Sequence, residues 1–125
     1  MKRVRFIIIA ILIFSFAGQG FAENIRRNQK VKRYLERSQK RSFIYYPDSQ
    51  EAKLIFNSDL RYFLNNGPYT SITIFSWSSQ FKRWDPIFNE SFNPKERHYS
   101  FKKSSPYVIV VTNYNGGDII FLQIK

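Results

Sequence analysis

The chain of 125 residues has length for one domain, and its 43% hydrophobic and 23% charged residues describe a globular core rather than a disordered polymer. It contains no cysteine, which excludes a disulfide framework, a lipid-modified cysteine anchor and a cysteine-ligated zinc site. A formal charge of +11 favours acidic partners such as nucleic acid, anionic lipid headgroups or anionic glycans, unless the excess serves solubility alone.

Residues 1–22 read as a secretory signal peptide. Lys2, Arg3 and Arg5 form a positive start, residues 6–17 are almost wholly apolar, and Gly20 and Ala22 stand at the −3 and −1 positions of a cut before Glu23. At 1.5 Å per residue the apolar run spans about 18 Å, short of the roughly 30 Å hydrocarbon layer, so a cleaved signal fits better than a spanning helix. Positive residues soon after the cut resist translocation and leave an uncleaved anchor as the alternative. Cleavage removes three of the 20 Lys and Arg and none of the nine acids, leaving a mature net charge of +8. The predicted location is secreted or periplasmic.

Residues 23–41 read as a basic arm. Arg26, Arg27, Lys30, Lys32, Arg33, Arg37, Lys40 and Arg41 follow Asn24 with Glu36 as the single acid among them. Val31, Tyr34, Leu35 and Ser38 share helical spacing, which predicts a short amphipathic helix or a flexible arm. Such a cluster could dock on anionic lipid, or it could be a solvated linker.

From Ser42 the texture changes to short runs rich in Ile, Val, Phe, Tyr and Thr, the signature of strands, and residues 42–125 are assigned to the domain. Strands are predicted at 43–46, 53–56, 69–77, 97–102, 107–113 and 119–124, with weaker candidates at 60–64 and 87–92. Turn residues at 47–49, 65–68 and 103–106 separate them. Residues 115–118, Asn-Gly-Gly-Asp, predict a β-hairpin between the last two strands. Residues 108–111 are apolar without alternation, as in a central strand covered on both faces. The fold class is all-β, a small antiparallel sandwich or barrel.

Residues 69–125 resemble the jelly-roll sandwiches of pre-peptidase C-terminal domains. The strand at 69–77, the Ser105-Pro106-Tyr107 start of the next strand and its return through Asn115, Gly116 and Gly117 into 119–124 carry the resemblance. In place of the Gly that commonly precedes the Tyr in that family stands Pro106. The resemblance implies an exported accessory module that binds a partner without chemistry of its own.

Catalytic material is sparse. His98 and Glu96 fall on one side of a predicted strand, where a base and its orienting carboxylate are conceivable, but no nucleophile motif accompanies them. Asp85, Glu90, Glu96 and His98 match neither a zinc nor a calcium pattern, and no phosphate loop is present. No metal or cofactor is therefore predicted. The richest cluster is Trp77, Phe81, Lys82, Arg83 and Trp84, placed in a loop, where aromatic faces and cations suit an anionic glycan or single-stranded nucleic acid. The bland alternative has both indoles capping the core edge.

The predicted function is that of an exported binding protein, not an enzyme. Its Trp77–Trp84 cluster, with Arg26, Arg27, Lys30, Lys32 and Arg33, would meet an envelope glycan, a lipid headgroup or nucleic acid. A periplasmic inhibitor or immunity-type protein that blocks a secreted enzyme or toxin is the second reading, and a small secreted hydrolase using His98 is the third.

Overall fold

The computed structural model describes residues 22–48, 50–59, 70–91, 96–102, 105–114 and 118–125. The predicted signal peptide up to residue 21, the candidate strand at 60–64, the turn at 65–68 and the glycines at 116–117 lie outside them.

Among the described residues every regular element is a strand. β1 (Glu23–Asn24), β2 (Lys30–Leu35), β3 (Lys40–Tyr45), β4 (Ala52–Ser58) and β5 (Thr70–Ser78) are followed by β6 (Arg83–Ser91), β7 (Arg97–Phe101), β8 (Tyr107–Asn113) and β9 (Asp118–Ile124). One sheet has the order β1-β3-β8-β5-β6 and the other β2-β9-β4-β7. All pairings between strands are antiparallel except that of β1 with β3. The class is thus the predicted all-β sandwich.

Alternation explains which face each strand buries. Ala52, Leu54, Phe56 and Ser58 of β4 point inward, as do Thr70, Ile72, Ile74 and Ser76 of β5. They meet Phe43, Ile109, Val111, Ile120, Leu122 and Ile124 in one continuous core. Rings then close the space between the sheets: Tyr45, Phe101 and Tyr107 pack at centroid distances of 5.0 and 4.6 Å. Tyr99, Phe88 and Phe56 continue the row at 4.8 and 6.1 Å. Edge-on and tilted ring contacts of this kind let a small core hold together without disulfides.

Three expectations need correction. Residues 23–41 contribute strands rather than a helix or an arm, and the sandwich begins at Glu23 instead of Ser42. Val31 and Leu35 are buried on the inner face of β2, which pairs along its whole length with β9. Period 2 therefore outweighs the helical spacing, because the edge of β9 would otherwise remain open. Second, β8 and β9 do not form a hairpin. Both flanks of β8 are taken by β3 and β5, and β9 lies between β2 and β4, so the connection crosses from one sheet to the other. Third, Arg83 and Trp84 stand at the start of strand β6 rather than in a loop, across from Trp77, which lies next to last in β5 as the strand predicted over 69–77 requires.

Candidate functional site

Strand directions bring eight of the described cations to one end of the sandwich. β3, β5, β7 and β9 finish at this end, while β2, β4, β6 and β8 start from it. It therefore collects Arg26, Arg27, Lys30, Lys53, Lys82, Arg83, Lys102 and Lys125, against Asp48, Glu51 and Asp85. Among the described residues at the other end, Glu36, Asp59, Glu90 and Glu96 stand with Arg37, Lys40, Arg41 and Arg97. The five strands from β1 to β6, about 4.8 Å apart, spread the basic end over roughly 19 Å.

Two of its cations are engaged in ion pairs. Arg27 donates from Nε and Nη2 to the Asp48 carboxylate at 3.0 and 2.8 Å, from Nη1 to the Glu51 carbonyl at 3.0 Å and from Nη2 to the Gln50 carbonyl at 3.2 Å. This fork fastens the segment after β1 to the β3–β4 connection, and it holds Asp48 below the usual carboxylate range. Arg83 donates to Asp85 at 2.8 Å and lies 5.0 Å from the Phe81 ring centre. Arg26, Lys30, Lys53, Lys82, Lys102 and Lys125 make no ion pair among the described residues.

The Trp77–Trp84 cluster is the end of the β5–β6 hairpin. Trp77 and Trp84 are directly paired across the strands and touch edge to face at 5.3 Å. Trp84 also packs on an apolar patch of Ile44, Val108, Phe75 and Val110 on the outer face of the five-stranded sheet. These indoles are half-buried on the outer face of the sheet, and neither belongs to the core between the sheets. Phe81 is different: it is 61% exposed at the tip, where Ser78 Oγ accepts from its backbone N–H at 3.2 Å. Lys82 beside it is exposed and has a positive φ of 52°.

The predicted arm residues separate. Arg33 points inward from β2 and reaches Glu23 at 2.7 Å, while Arg41 from β3 reaches the same carboxylate at 3.2 Å. The hydrogen bond from Arg33 is the main cause that holds Glu23 below the usual range, against a smaller desolvation effect. Lys30 and Lys32 point outward on β2, with the Lys32 ammonium 5.7 Å from the Phe121 ring centre.

The sequence reading did not single out Lys53, Lys102 or Lys125. Together with Glu51, Ala52, Ser100 and Phe101 they line an open concavity of about 630 Å³. Each lysine lies next to a buried strand residue, so parity alone assigns it to the outer face. Their proximity depends on the pairing of β4 with β7 and of Lys53 with Lys125, which spacing does not reveal.

The candidate acid–base pair does meet, His98 Nε2 lying 3.0 Å from Glu96 Oε2, but both groups are exposed on the outer face. Glu90 pairs with Arg97 at 2.9 Å.

One solved structure has the same architecture: the pre-peptidase C-terminal domain of a collagenase from Bacillus anthracis aligns with a TM-score of 0.64 at 14% identity. The chain has the pre-peptidase C-terminal fold. The match covers 86% of this chain and 97% of that one, so the pre-peptidase C-terminal likeness extends well upstream of residue 69. No protein-family model and no curated protein matches the sequence.

Proposed function

We propose that the protein is an exported, non-catalytic binding module that holds an anionic polymer or surface against the basic end of its sandwich. The observation that carries this reading is the convergence of Arg26, Lys30, Lys53, Lys82, Lys102 and Lys125, brought together from separate segments without carboxylate partners among the described residues. Cations left without partners create a positive potential that attracts and orients a polyanion. The signal-like residues 1–22 support export. The likeness to one domain of a collagenase supports an accessory role.

Retention on heparin across a salt gradient tests it. The protein should bind at low salt and elute earlier when Lys82→Gln or Lys53→Gln removes a cation, because exposed electrostatic contacts are screened as salt rises. Phe81→Ala should shorten retention less. No retention at low salt would overturn the polyanion reading, and the exposed Phe81 tip would then be the first place to seek a protein partner of the inhibitor type.

A further inference from the structure

The outer face of the four-stranded sheet holds an arrangement that folding does not account for. Lys53 N donates to Lys125 O at 2.8 Å and Lys125 N donates to Lys53 O at 2.9 Å. Residues that exchange both bonds stand directly opposite each other, with side chains on one face and Cβ atoms about 5 Å apart. Both are exposed here, and two ammonium groups so placed weaken the sheet by repulsion.

Lys102 adds a third ammonium to the same concavity, and Glu51 supplies the one side-chain carboxylate among its described lining residues. Ser100, the residue opposite Lys53 on β7, supplies a hydroxyl, while Ala52 and Phe101 adjoin the concavity with their side chains buried in the core. A volume of about 630 Å³ lies within the range of roughly 300–1,000 Å³ for small-molecule sites. A bare inorganic ion would leave most of that space empty.

We propose that this concavity is a subsite for a phosphorylated sugar residue. The proposal rests on the polyanion reading and names the chemical unit that reading leaves open. A phosphate monoester carries nearly two negative charges and three acceptor oxygens, enough to take a bond from each of Lys53, Lys102 and Lys125. Its charge removes the repulsion between Lys53 and Lys125. The sugar hydroxyls lie within range of Ser100 and Glu51.

The test is calorimetric titration of the protein, purified after expression of the full chain, with glucose 6-phosphate, inorganic phosphate and glucose. Lys53→Gln, Lys125→Gln and the opposite-end Lys40→Gln are titrated alongside. Glucose 6-phosphate should bind best, and each of the first two substitutions should weaken it about tenfold or more, as loss of a charge-assisted hydrogen bond does. Lys40→Gln should change nothing.

The same two substitutions should raise Tm in the absence of ligand, a gain that a purely structural role would not give. Unchanged affinity in Lys53→Gln and Lys125→Gln overturns the subsite. Equal binding of inorganic phosphate overturns the sugar component. Heparin retention without glucose 6-phosphate binding rejects the subsite while leaving the polyanion reading intact, whereas loss of both rejects the two together.

Discussion

Glu23 shows how much of the basic character of residues 23–41 is structural. Its carboxylate ties Arg33 of one sheet to Arg41 of the other, and each side chain in the trio keeps about a third of its surface exposed. Glu23 also begins the mature chain if cleavage falls where the sequence predicts. Because its folded pKa is lowered from 4.5, its stabilisation is fully present above the unfolded value and is lost as pH falls through the folded one. Glu23→Gln should therefore cost about 1 kcal/mol at neutral pH, discounted for solvent screening, and less as the solution is acidified. Thermal unfolding between neutral and strongly acidic pH checks this: the wild-type and variant Tm values should converge at the acid end. The variant curve should still slope, since Asp48 is lowered by Arg27 in the same direction. Parallel curves would mean that Glu23 is not the group being titrated.

β2 is the element where sequence and structure part most clearly. Val31 and Leu35 are spaced as in a strand, but Arg33 occupies the inward position between them and hides the alternation, while Tyr34 completes a helical spacing by chance. Arg33 is tolerated inside because Glu23 meets it, a partner no local pattern reveals. β8 and β9 were legible as strands with nearly correct bounds, yet their supposed hairpin was not real, because a turn motif specifies a reversal of the chain and not which edges then pair. The site was legible in part: Lys30 and Lys82 were singled out and do lie free at the basic end, whereas Lys53 and Lys125 needed the register. A consequence can be measured. Deleting residues 23–41 removes β1, β2 and the start of β3, and it exposes the inner side of Ile120 and Leu122 as well as the edge of β9. The shortened protein should lose its dispersed amide NMR spectrum and its cooperative melt, where a detachable arm would leave both unchanged.

At the scale of the whole molecule, the sandwich places its surplus of described cations at one end of the strands, and this predicts which substitutions matter irrespective of their type. Among the described residues, the end where β5 turns into β6 carries cations in excess, while the opposite end holds Glu36, Asp59, Glu90 and Glu96 with Arg37, Lys40, Arg41 and Arg97. A polyanion bound at the first end releases counterions from those contacts, so the slope of log affinity against log salt should fall by roughly one for each contact removed. The triple variant Lys30→Gln, Lys53→Gln, Lys82→Gln should thus lower the slope by about three on a highly charged polymer. Removing Arg37, Lys40 and Arg97, which changes net charge by the same three units, should leave it unaltered. Salt-dependent retention on an immobilised polyanion compares the two variants directly. Equal loss in both would show that net charge alone, and no particular surface, governs binding; loss confined to the first would assign the contact to the end where the Phe81 tip and the Lys53–Lys125 pair stand together.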